Sequence, residues 1–112
     1  MSGRPSIVCL CGSTRFQKEF MNVQRQESLA GNIALTVGCF PRHPDGSWDS
    51  TMVSDEQKVK LDELHLRKID LADEVLVLNI GGYIGESTRR EIEYAQKTQK
   101  PIRYLEPNNK RL

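Results

Sequence analysis

Two short stretches carry the side chains most able to do chemistry. In GGYIGESTRREIEYA, Gly81 to Ala95, one carboxylate sits among small and apolar neighbours. At about 100° per residue, Ser87, Thr88, Tyr94, Ala95 and Thr98 fall within about 60° of Glu91, while Arg90, Glu93, Gln96 and Lys97 fall on the far side. Glu91 is therefore expected to face inward, in the first turns of a helix whose amides and dipole favour negative charge. A carboxylate held there suits a nucleophile or a base, and Gly81, Gly82 and Gly85 clear space just before it. The competing reading is structural. Thr88-Arg89-Arg90-Glu91 has capping-box spacing, in which Glu91 only bonds back to the Thr88 amide. Glu27 also falls inside an apolar stripe, near a helix end where it can reach water.

The second stretch is Gly12-Ser13-Thr14-Arg15. Glycine lets a ligand approach the backbone, the hydroxyls and first helical amides donate hydrogen bonds, and Arg15 can chelate an anion. Equally, Gly12 makes the turn and Ser13 caps the helix. The spacing of a dinucleotide fingerprint or of a phosphate-binding P-loop is missing, so no cofactor is expected. Cys9, Cys11 and Cys39 are odd in number and lie in apolar, strand-like surroundings, which points to core packing rather than a disulfide. His43 and His65 show no ligand spacing to Cys9-Leu10-Cys11, so no metal is expected.

The elements that must position these groups follow from periodicity. Ile7 to Cys11 is a buried strand ending at Gly12-Ser13, and Thr14 to Ala30 a helix with Phe16, Phe20, Val23 and Ala30 on one face. Gly31-Asn32 stops it. Ile33 to Phe40 reads as a strand, and Pro41 to Val53 as a long loop whose His43 and Trp48 are either packing residues or contributors of an acid and a stacking surface. Ser54-Asp55-Glu56-Gln57 opens a helix with Leu61, Leu64, Ile69 and Ala72 inward, and with Val59 and Leu66 on its outer side. Glu74 to Asn79 is a strand, Gly81 to Gly85 a turn, Glu86 to Gln99 a helix and Ile102 to Leu105 a last strand. This alternation predicts an α/β fold: a Rossmann-like or flavodoxin-like three-layer sandwich, with a small parallel sheet of four to five strands and helices on both faces. Ligands bind such sheets at the carboxyl ends of the strands, where both stretches lie.

Composition sets the outer limits. A chain of 112 residues with 38% hydrophobic residues fits one domain, residues 1–112. Sixteen basic and fifteen acidic residues leave no broad field to attract a nucleic acid polymer or a membrane surface. No segment approaches the roughly 20 apolar residues of a membrane span, and the start lacks a signal-peptide core, so a cytoplasmic protein is expected.

CLCGSTR after the first strand, ADEVLVLN, the glycine-rich turn and REIEYAQKTQKPIRYL together resemble the nucleoside 2-deoxyribosyltransferase superfamily, which includes 2'-deoxynucleoside 5'-monophosphate N-glycosidases. The resemblance spans residues 7 to 106, apart from the loop 41–53. It implies cleavage or transfer at the N-glycosidic bond of a nucleoside or nucleoside 5'-monophosphate, with Glu91 attacking C1' of the sugar. It further implies that Cys9, Gly12, Ser13, Thr14 and Arg15, with Gly82, Gly85, Glu86, Ser87 and Thr88, surround the sugar and its 5' end, and that the protein is a homodimer or higher homo-oligomer. Three positions depart from the family. Cys9 stands where a tyrosine is usual, His65 where an aspartate is usual, and Gly85 where transferases often place an acidic group. His65, on the inner face beside Leu61, Leu64 and Ile69, is then either a second catalytic group, able to act as an acid near neutral pH, or a satisfied core histidine. The same departures keep open a catalytically inactive nucleotide-binding or sensing module of the same fold, and beyond it a structural or interaction subunit.

Overall fold

The computed structural model describes residues 3–107, so residues 1–2 and 108–112 of the expected domain lie outside the described residues. Its four strands are β1 (Ile7–Gly12), β2 (Ile33–Leu35), β3 (Glu74–Leu78) and β4 (Ile102–Tyr104), and its three α-helices are α1 (Gln17–Leu29), α2 (Asp55–Leu71) and α3 (Glu86–Lys97). All pairings are parallel in the order β2-β1-β3-β4. This is the expected α/β architecture.

Alternation along the strands divides the core. Val8 and Leu10 of β1, with Leu76 and Leu78 of β3, pack against Phe20 and Val23 of α1. Cys9 and Cys11, with Val75 and Val77, face Ile69 of α2 and Ile92 and Ala95 of α3. Because β1 and β3 are covered on both faces, they read as continuous apolar runs.

Three boundaries and one helix face differ from expectation. The chain enters α1 through a 3-10 turn, Thr14–Phe16, and Ala30 is exposed beyond the helix end, where Gly31 takes a φ of 90°. β2 stops at Leu35 instead of reaching Phe40, because the next carbonyl, Thr36, accepts from Lys68 of α2 at 2.7 Å. Val37 and Phe40 still pack against the α1-side core. On α2, His65 faces inward beside Ile69 as expected, but Leu64 is exposed, and Leu66 is half-buried against the core and not on the outer side. The capping box at the start of α2 does form, with Ser54 Oγ accepting from Gln57 N at 3.1 Å and Gln57 Oε1 from Ser54 N at 2.9 Å.

The loop from Pro41 to Val53 is ordered by its own turns. Arg42 and Trp48 form an antiparallel bridge, Asp45 and Asp49 each accept from a backbone amide two residues on, and Pro41 and Val53 are buried.

Asp73, between α2 and β3, holds the chain leading into β1. Its carboxylate accepts from Arg4 Nη1 and Nη2 at 2.8 and 2.7 Å and from Ile7 N at 2.8 Å. The Arg4 hydrogen bonds, with help from the Ile7 amide, lower its pKa from 3.8 to about 2. A carboxyl depressed on folding contributes stability above its unfolded value, which is lost as pH falls through the folded one. Asp73→Asn is therefore expected to lower the urea midpoint at neutral pH, and its deficit relative to wild type is expected to shrink between about pH 4 and about pH 2. A deficit that does not change over that range would assign the effect to something other than this charge.

Candidate functional site

The cleft opens where the sheet allows it. From β1 the chain passes to α1 on one face, and from β3 toward α3 on the other, so the two connections diverge at adjacent strand ends. Gly12 sits at the point of closest approach. A Cβ there would meet Leu78 Cβ at 3.1 Å, Leu78 O at 3.2 Å and Phe20 at 3.3 Å, so no larger residue fits without displacing β3 or the core.

The resulting cavity of about 210 Å³ collects ten of the twelve expected site residues: Gly12, Ser13, Thr14 and Arg15 from the first turn, His65 from α2, and Gly85, Glu86, Ser87, Thr88 and Glu91 around the start of α3. Cys9 and Gly82 are not on its wall. Cys9 is fully buried in β1, beneath the cleft. Gly81 and Gly82 serve the backbone, with φ of 62° and 82° in the tight turn after β3, where an added Cβ would meet nothing. The expectation that they clear space for Glu91 is corrected accordingly.

The capping reading of Glu91 does not survive the helix boundary. The N-cap of α3 is Gly85, with Arg89 N donating to Gly85 O at 2.9 Å, so Thr88 lies inside the first turn and Glu91 a full turn beyond. Glu91 cannot reach back to a capping amide. It is 9% exposed and points onto the cleft floor. Gly85 brings no side-chain cap, which leaves the amino end of α3 facing the cavity through Glu86, Ser87 and Thr88.

Three cations, Arg15, Arg42 and Lys58, line the cleft alongside Asp62 and Glu86, and sequence reasoning found only part of this set. Arg15 lies over the Tyr83 ring at 4.4 Å, and Arg42 and Lys58 lie 5.4 and 5.9 Å from the centre of Trp48. Arg42 Nε also donates to Thr14 Oγ1 at 3.0 Å, which ties the 41–53 loop to the first turn. Lys58 pairs with Asp62 at 2.9 Å, and both residues line the cavity. Trp48 lines it too, whereas His43 does not and sits 3.7 Å from Asp49. Cys39 is half-exposed on the cleft wall, not in a strand. Lys58 and Asp62 are charged positions one turn and more ahead of the inward His65, and their place on the cleft wall was not read from the sequence.

Below Glu91 lies a polar cluster in an otherwise apolar layer. His65 Nε2 is 4.0 Å from Glu91 Oε1, 3.6 Å from Cys9 Sγ and 3.5 Å from Cys11 Sγ. Spacing along the sequence gave no sign of this approach, yet α2 lays His65 directly on the cysteine pair. The sulfurs and this nitrogen all lie within 4.8 Å of one another, a donor set able to hold a metal ion. Each group shifts the others. Burial pushes the Glu91 carboxyl from 4.5 up to about 7, against the opposing pull of His65 and of a hydrogen bond from Cys11. Cys9 is lowered from 9.0 to about 5, chiefly by a hydrogen bond from the Cys11 thiol, and Cys11 is raised in return by the same bond and by burial. At His65 burial opposes the charged ring, but the hydrogen bond to Cys9 and the charge of Glu91 outweigh it and raise the pKa. Chemically, the floor offers an inward carboxylate and two sulfurs with an imidazole between them.

Comparison of the chain with protein-family models, with curated proteins and with solved structures gives no match.

A carboxyl whose pKa is raised on folding costs stability once it ionises. The cost is absent below the ordinary value of 4.5 and complete above about 7. Glu91→Gln, neutral throughout, is expected to gain on wild type by on the order of 3 kcal/mol as pH rises through this window, measured by urea unfolding with a chelator present. A gap that stays constant with pH would show that Glu91 does not titrate there.

Proposed function

We propose that the cleft binds a nucleoside or nucleoside 5'-monophosphate and that Glu91 is the nucleophile in cleavage or transfer of its N-glycosidic bond, as the resemblance to the nucleoside 2-deoxyribosyltransferase superfamily implies. One observation carries the reading: the Glu91 carboxylate lies on the floor of a cleft rimmed by Arg15, Arg42, Lys58 and the amino end of α3. The rim suits a phosphate, because cations and helical amides converge there. The floor suits the sugar, because a buried carboxylate stabilises an oxocarbenium-like centre better than one in water.

In this mechanism a Glu91 oxygen forms a bond to C1' as the C1'–N bond breaks, and the electron pair of that bond leaves with the base, which takes up a proton. Water or a second base then attacks C1' and releases the carboxylate. His65 Nε2 faces Glu91 and the two sulfurs rather than the opening, so its part is to position Glu91 and hold its charge. Asp62, on the wall beside Lys58, is the nearer candidate to exchange a proton with the base. The cavity is smaller than the roughly 300–1,000 Å³ of pockets that enclose a drug-sized ligand. Part of a nucleotide would project past the rim, where a second copy of the chain in a homo-oligomer would cover it.

The reading is tested by incubating the protein with ribo- and deoxyribonucleosides and their 5'-monophosphates, with and without a second free base, and following base release by chromatography. Glu91→Gln is expected to lower turnover at least about a thousandfold while keeping the fold. Arg15→Gln is expected to raise KM for monophosphates about tenfold or more and to affect nucleosides little, as loss of a charge-assisted hydrogen bond requires. Base release that persists in Glu91→Gln would remove the nucleophile from this mechanism. An inert panel with measurable nucleotide binding would leave a binding module.

A further inference from the structure

We propose that Cys9, Cys11 and His65 bind one Zn²⁺ ion beneath the cleft, with Glu91 moving in to its fourth position when no sugar occupies the cleft. The argument is geometric. A tetrahedral zinc ion with bonds of about 2.3 Å to sulfur and 2.0–2.1 Å to nitrogen sets each sulfur about 3.5 Å from the nitrogen. The two sulfur–nitrogen separations in the structure are 3.5 and 3.6 Å, and all three donor atoms lie within 4.8 Å of one another. The corresponding nitrogen–oxygen edge is about 3.4 Å. Glu91 Oε1 is 4.0 Å from Nε2 but lies outside the 4.8 Å group of the two sulfurs and the nitrogen, so the carboxylate must move toward the sulfurs to complete the set.

Local structure explains why these donors meet. Positions 9 and 11 are two apart on β1, so both thiols leave the same face of the sheet, toward α2 and α3. His65 and Glu91 then descend on them from those two helices. Nε2 carries either one proton or one lone pair and so bonds one sulfur at a time. A cation between the donors satisfies all of them at once. The donor softness selects the ion: paired thiolates with an imidazole favour zinc over magnesium or calcium. Two thiolates cancel its charge, and the carboxylate completes a buried shell. His65 and Glu91 both border the cavity, which gives the ion a route in.

Zinc binding is read without any nucleoside, so an inert nucleoside panel would leave this proposal standing, and a protein that takes no metal would leave the glycosidic reading standing. Full-length protein, reduced and stripped with chelator, is titrated with Zn²⁺ against a chromophoric chelator, and separately with Co²⁺. One ion per chain is expected, and the Co²⁺ form is expected to show thiolate-to-metal charge transfer with the intense visible bands of a tetrahedral centre. Cys9→Ser, Cys11→Ser and His65→Gln are each expected to weaken binding at least about a hundredfold, and Glu91→Gln about tenfold or more, with Cys39→Ser unchanged. The wild-type Co²⁺ spectrum decides the matter even where a variant fails to fold. No stoichiometric uptake, a weak octahedral spectrum or affinity indifferent to Cys9 would overturn the site, and full affinity in Glu91→Gln would remove the fourth ligand.

Discussion

The pairing of β1 with β3, from Val8 opposite Glu74 to Gly12 opposite Leu78, is the constraint on which the rest of the molecule depends. These two strands form the centre of the sheet, with both faces covered, and every group discussed for the cleft is located relative to their carboxyl ends. Their register puts Cys11 beside Val77 and Gly12 beside Leu78, so the first turn and the turn before α3 begin at the same height. Gly12 then matters as a spacing device more than as a flexible joint. Its missing side chain lets β3 and Phe20 close up beneath the opening.

The same sheet carries two chemically different layers. Toward α1 it presents Val8, Leu10, Leu76 and Leu78, which need only be packed. Toward α2 and α3 it presents two thiols among its apolar residues, and the helices answer with an imidazole and a carboxylate. Buried ionisable groups of this kind are costly, and they lie directly under the cavity, where such groups cluster in functional sites. The rest of the core is conventional by comparison, which makes the polar patch a local departure and not a general looseness of packing.

Much of the fold could be read from the sequence because its signals are local. Continuous apolar runs gave β1 and β3, Ser54 and Gln57 gave the start of α2, and the face of α3 holding Thr88, Ala95 and Glu91 followed from counting around a helix. What escaped depends on contacts distant in sequence. β2 ends early because of a lysine 32 residues away, and the approach of His65 to the cysteines spans 54 and 56 residues. The inward His65 was legible from the period of α2, whereas Leu64, expected inward with it, is exposed. The set of rim cations was half visible, since Arg15 sits in a recognisable turn, while Arg42 and Lys58 come together only around Trp48.

That arrangement of the rim sets a threshold for whatever enters. Arg15 rests on Tyr83, and Arg42 and Lys58 flank Trp48, with Lys58 also held by Asp62. Each cation already has a partner, so an arriving anion makes an exchange and gains only the difference between old contacts and new. Small free anions gain little from such an exchange. A ligand that brought a flat ring along with its charge would take the aromatic faces that the cations give up, so such a rim would favour charge and ring together over charge alone.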